Sequence, residues 1–341
     1  MLLILELDEV LVGTEARREA AALAAGLYLE RVCCVDDGRR LVNVTHADQM
    51  WYQGGFDDFQ DLTAGLVLWF MSCLGPTLRP KPARVSRAEE VQRAFRPLGL
   101  RYGELLAHSE RPMDSLLEAS LERGGGYDGM LSALRRDTIA GYILRQRTPS
   151  AGGFEANVIG QCFYEAYLGS ARFESLHAPV RFATDMPGTF HQERPLVSLE
   201  DIEKLALQSH LVLASPRPHA MVHWTLERLG IASLFEACIT ADDAPQAGPG
   251  AQGDGWTLRE ALRQATQAVA EPWPAEQTFA VGNRTDFMAA ACQQGVQAIG
   301  MARLRQDHKR LSKAGARAVL RRLSTLGRVI EKLQASEYPP G

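Results

Sequence analysis

Five polar residues stand directly behind short apolar runs: Glu6 and Asp8, Ser215, and Asn283 and Asp286. Carboxylates so placed can pass protons or hold a hard cation through oxygen. A serine hydroxyl can donate to an anionic oxygen, and Asn brings a carbonyl oxygen without charge. Two other constellations invite chemistry and fail on inspection. His219 and His223 share an i, i+4 face, a spacing that can bind zinc, but no Glu lies between them and no third ligand is apparent. They read as part of a packed or surface helix. The run Gly124 to Gly129 lacks the Lys-Ser/Thr of a phosphate loop and follows no strand, so it reads as a helix connection.

The elements that would carry the polar residues follow from periodicity. Leu2–Leu5 is a short apolar run that ends in acidic residues, the signature of a strand buried on both faces. From Glu15 to about Cys34, Ala and Leu recur at i, i+3 and i+4, and helical periodicity dominates to about Phe173. Strand and helix then alternate. The predicted strands are 211–214, 237–240, 278–281 and 297–300, with helices over 198–208, after 218, over 258–270 and after 286. Parallel strands with helices on both faces follow from that alternation. In such sheets ligands bind beyond the carboxyl ends of the strands, so Glu6, Asp8, Ser215, Asn283 and Asp286 are expected to converge.

The chain has 341 residues, enough for two cores. It is 46% hydrophobic and 23% charged, with a net charge of −4, which gives no global reason for nucleic-acid or membrane binding. The segment 303–332 is the exception. It holds ten Arg or Lys residues against Asp307 and Glu331, a pattern that suits either a solvated helical face or contact with a phosphate backbone. The six cysteines include no C-x-x-C pair, so reduced thiols in a cytoplasmic protein are expected. Neither a signal peptide nor a transmembrane stretch is expected.

The order of motifs resembles the haloacid dehalogenase-like superfamily, specifically its subfamily I phosphatase-type hydrolases. Their first motif, a strand ending Asp-x-Asp-Gly-x-Leu, is similar to Leu5-Glu6-Leu7-Asp8-Glu9-Val10-Leu11. Their second motif is similar to Leu211–Ser215, continued by Arg217-Pro218 and Leu226–Gly230. Gly282-Asn283-Arg284-Thr285-Asp286-Phe287 resembles the fourth, Gly-Asp-x-x-Asp-Asp. Two stretches, 54–63 and 163–169, look like the helical cap of a less studied branch. The resemblance implies a Rossmann-like α/β core over 1–15 and 190–330, an inserted all-helical cap over 16–189, and a tail over 331–341.

It also implies roles. Glu6 takes the nucleophile position and Asp8 that of the acid/base. Ser215 and Arg217 would hold a phosphate, and Glu6, Asp8, Asn283 and Asp286 would bind Mg²⁺ weakly. The motifs depart from the pattern at the chemical positions. Glu6 is one methylene longer than Asp, and a misplacement of about 1 Å can cost on the order of a hundredfold in rate. Where a Lys-Pro is expected, the chain reads Ala247-Gly248-Pro249, and no lysine lies between Lys204 and Lys309. Losing that charge forfeits roughly 3 kcal/mol of transition-state stabilisation, unless Arg217 or Arg259 substitutes. Asn283 and Phe287 replace further aspartates, and Glu9 replaces the usual glycine. Asp8 could instead cap a helix or turn, and Ser215 could cap the next helix. The leading expectation is a catalytically impaired phosphatase-type protein that binds a small phosphorylated molecule or a protein partner. The alternatives are an active Mg²⁺-dependent phosphomonoesterase and a nucleic-acid-associated protein using residues 303–332.

Overall fold

A computed structural model of the protein describes residues 1–72, 88–101, 113–134, 157–177, 180–184, 186–243, 259–261, 263–264 and 273–337. Six strands form one parallel sheet: β1 (Leu2–Glu6), β2 (His210–Ala214), β3 (Ala237–Ile239), β4 (Thr278–Gly282), β5 (Gln297–Met301) and β6 (Ala318–Leu320), in the order β3-β2-β1-β4-β5-β6. The first strand of the chain lies at the centre. Its Leu2–Glu6 register runs against His210–Ala214 on one side, and Leu2–Leu5 against Thr278–Val281 on the other.

Both faces of the sheet are covered, which is why β1, β2 and β4 read as nearly unbroken apolar runs. Leu3, Leu5, Leu211, Leu213, Phe279 and Val281 pack on the helices Leu199–Gln208, His219–Leu229 and Leu326–Glu337. Leu2, Ile4, Val212 and Ala280 face the opposite way, toward Phe287, Met288 and Leu311 of the helices Thr285–Gln293 and Arg305–Lys313. Each such side chain fully withdrawn from water contributes about 1.5–3 kcal/mol. A register slip of one residue would put Glu6 where Leu5 sits, so the alternation holds Glu6 at its place.

The chain divides into two compact units, Met1–Thr14 with Arg194–Gly341, and Glu15–Glu193. The second boundary falls four residues beyond the expected 189, because hydrogen bonds hold the intervening segment within the helical unit. Thr189 Oγ1 donates to Ala16 O at 2.7 Å, and Tyr167 donates its hydroxyl proton to Glu193. The described residues of that unit contain helices and no strand. Its helix Glu15–Leu27 packs against Phe59–Ser72 and Val158–Leu168. Ala20, Ala21, Ala24 and Ala25, all 0% exposed, allow the close approach. The expected continuation of the first helix to Cys34 is interrupted by a wider π-turn over Tyr28–Val32. Glu165 is fully buried and fully used: it accepts from Gln161 Nε2 at 2.7 Å and from the N–H groups of Arg181, Phe182 and Ala183 at 3.0, 2.7 and 2.9 Å.

The basic segment differs from the expected run of terminal helices. Strand β6 splits it, and the helix Leu326–Glu337 continues through the position at which a separate tail was expected. Its charges therefore sit on several loops and helix faces of the α/β unit. No helix among the described residues is long and apolar enough to cross a membrane.

Candidate functional site

The strand order places the site. From β1 the chain's later strands are added outward in two directions, β2 and β3 on one side, β4 to β6 on the other. The loops leaving β1 and β4 therefore diverge, and a crevice opens between their carboxyl ends. Glu6 ends β1 and Gly282 ends β4, so both border that crevice.

Glu6 is 4% exposed, and its Oε2 accepts from the N–H groups of Asn283 at 2.8 Å and Arg284 at 3.3 Å. Gly282 makes room for this contact, since a Cβ there would come within 2.1 Å of Glu6 Oε2 and 2.8 Å of Phe287 Cδ1. Burial pushes the Glu6 carboxyl up to about 7; Asp286 adds to the rise, while the Arg284 guanidinium and the two N–H groups oppose it. Asp286 is itself engaged. Arg284 grips both its oxygens, Nε on Oδ1 at 3.0 Å and Nη2 on Oδ2, and Phe287 N–H donates to Oδ1 at 2.9 Å.

Asp8, Ser215 and Arg217 form a second group. Arg217 is buried, with its side chain 1% exposed, and grips both oxygens of Asp8 through Nε, at 3.3 Å, and Nη2. Its Nη1 reaches Thr225 Oγ1 at 3.4 Å, the outer limit of a hydrogen bond. Removing one partner of so buried a pair typically costs about 3–5 kcal/mol, because the other charge is left stranded. Asp8 is thus a partner to a cation. Ser215 is fully buried, and its Oγ accepts from Arg217 N–H at 3.2 Å, which closes the turn after β2. The following helix begins at His219, whose N–H is taken by Asp242 Oδ2 at 2.7 Å, so the helix-capping alternative for Ser215 does not hold.

Glu9 adopts a left-handed backbone conformation, with φ at +60°. A side chain in that region costs about 1–2 kcal/mol. The residue is held by its own contacts: Thr14 donates its N–H at 3.2 Å and its hydroxyl to Oε1, and Arg303 Nε lies 3.7 Å from Oε2. Arg259 is exposed, and the Ala247–Pro249 stretch lies outside the described residues.

Sequence reasoning gave no role to Arg284, Gly282 or Thr225. Arg284 had a signal, a guanidinium two residues ahead of Asp286 on one turn. Thr225 had none. The residues present do not fit a Mg²⁺ ion. Such an ion keeps several waters and takes one or two charged carboxylates, yet Asp286 is clasped by a guanidinium that would also repel a dication, and burial pushes the Glu6 carboxyl toward its neutral form. Among the described residues, no three His, Cys, Asp or Glu side chains are placed to hold a metal.

Comparison with known proteins returns likeness in structure. No family model and no curated protein matches the sequence. The X-ray structure of a Northeast Structural Genomics Consortium target superposes with a TM-score of 0.61 at 19% identity, over 97% of this chain and 98% of that one. Phosphatase Tt82 from Thermococcus thioreducens superposes with a TM-score of 0.51 at 18% identity, over 97% of this chain and 99% of that one.

Proposed function

We propose that this chain, which has the haloacid dehalogenase-like fold, is a phosphatase-type protein that no longer hydrolyses phosphate esters and acts by binding a ligand or a protein partner. One observation carries this reading: every strand-end acid that could do chemistry is already met by its own chain. Asp8 is held by Arg217, Asp286 by Arg284, and Glu6 by two backbone N–H groups in a site that favours its neutral form.

A nucleophilic carboxylate must be charged and free to approach phosphorus, and an acid/base must be able to give up and retake its proton. Glu6, buried, with its carboxyl pushed up to about 7 and its Oε2 tied to two N–H groups, is only partly charged at neutral pH and not free to approach, so it meets the first need poorly. Asp8 is clasped through both oxygens by a buried guanidinium, which leaves neither oxygen free to pass a proton. The two arginines supply the positive charge that a metal would otherwise bring, but they spend it on the protein's own carboxylates.

The experiment is phosphate release from an aryl phosphate across a Mg²⁺ titration, with thermal shift in Mg²⁺ and beryllium fluoride alongside. The expected outcome is release equal to buffer and no cooperative stabilisation. Mg²⁺-dependent release that Glu6→Gln abolishes would overturn the proposal in favour of a working phosphomonoesterase.

A further inference from the structure

We infer that the α/β unit carries a separate binding site for a small organic phosphate, beyond the carboxyl ends of β5 and β6. A cavity of about 490 Å³ opens there, within the range of roughly 300–1,000 Å³ usual for small-molecule sites. Arg303 follows β5, and Arg321 and Arg322 follow β6, so one guanidinium from the first loop and two from the second line the same space. Facing them are two carboxylates, Glu9 and Asp201, so the cavity holds one positive charge in excess.

The two carboxylates are partly committed elsewhere. Glu9 Oε1 takes both donors of Thr14, and Asp201 Oδ2 takes the Ser198 hydroxyl at 2.8 Å. Among the described residues, Arg303 is the one of the three with a carboxylate within ion-pair distance, Glu9 Oε2 at a loose 3.7 Å. Among the described residues, the guanidiniums of Arg321 and Arg322 make no hydrogen bond or ion pair, and both are exposed. Guanidinium forks match the oxygens of a phosphoryl group. Val10, Leu196 and Leu323 supply an apolar wall for the organic part. Glu9 borders the cavity in its left-handed conformation, a strain that its ties to Thr14 and Arg303 hold in place. The site also gives a use to basic residues that the segment 303–332 presents and the acids of the β1–β4 crevice do not engage.

The inference does not depend on the loss of catalysis, since an active protein could carry this site too. Its test is calorimetric titration of the full chain with phenyl phosphate, and phosphate release is followed in the same samples. Saturable binding is expected, weakened at least about tenfold in Arg321→Ala/Arg322→Ala, as the loss of charge-assisted hydrogen bonds implies. Arg321→Lys/Arg322→Lys should recover part of the affinity, and Ser215→Ala should leave it unchanged. Both arginines are exposed, so the variants should melt with wild type. Benzoate should bind at least about tenfold more weakly, because a monoanion with two oxygens engages fewer donors. No saturable binding would overturn the inference. So would affinity lost with Ser215→Ala but not with the arginines, or benzoate binding equally well. Preference for a single-stranded oligonucleotide, with steep salt dependence, would overturn it in favour of a nucleic-acid surface. Release of phosphate with the arginine variants unaffected in binding would refute both this inference and the non-catalytic reading; release with binding lost would refute only the latter.

Discussion

Glu6 shows how one methylene alters a site. The longer acid turns back onto the β4 loop and is satisfied by backbone N–H groups in a buried place. Its carboxyl titrates near 7 in the folded chain against an ordinary value of 4.5. Between those values the folded state holds a proton that the unfolded state has released. Stability from this group is therefore fully present below about pH 4.5 and is lost as pH rises through about 7. The size is on the order of 3 kcal/mol, since each tenfold gain in proton affinity on folding is worth about 1.4 kcal/mol. Glu6→Gln keeps the acceptor and removes the titration. Urea unfolding at pH 5 and pH 8 should show the wild type losing on the order of 3 kcal/mol more than the variant across that span. Equal losses would show that Glu6 stays ionised throughout. The identities of Glu6, Asp8, Ser215, Arg217, Asn283 and Asp286 as strand-end residues were legible in the sequence. That Arg284 clasps Asp286 was not, because an arginine beside an acid can as easily extend to solvent.

Among the elements, the β4 loop does most of the shaping. Gly282 ends the strand, Asn283 and Arg284 present their N–H groups to Glu6, and the helix Thr285–Gln293 then begins with Asp286 in its first turn. The glycine matters for space and not for a left-handed conformation, since its φ is not positive. Gly282→Ala should force Glu6 off its two donors and cost about 1–3 kcal/mol by overpacking, measured as a lowered urea midpoint. A midpoint equal to that of wild type would mean that Glu6 can move without loss. Apolar runs of four or five residues located β1, β2, β4 and β5 within a residue or two. Strand β6 escaped notice because Ala318–Leu320 is three residues long and flanked by arginines, so its surroundings read as solvated helix.

The α/β unit is discontinuous in sequence, and its central strand comes from the first residues of the chain. Neither β2 nor β4 has a neighbour on its inner side without β1. A fragment of residues 194–341 would leave two rows of unpaired strand donors and acceptors facing one another across a gap the width of a strand, and buried backbone groups without partners are costly. Such a fragment should show no cooperative thermal transition by circular dichroism. A sharp melt like that of the full chain would show that β2 and β4 can close on each other.

Composition and periodicity by themselves determined that the chain alternates strands and helices around a parallel sheet, interrupted by a long helical stretch, because burial on both faces writes itself into consecutive residues. They also determined which polar residues end the strands. Only the tertiary structure decided who meets whom. Arg217 reaches Asp8 across 209 positions, and Asn283 reaches Glu6 across 277. Those pairings depend on strand order and direction, which bring distant loops to one edge of the sheet, and no local pattern of residues records them.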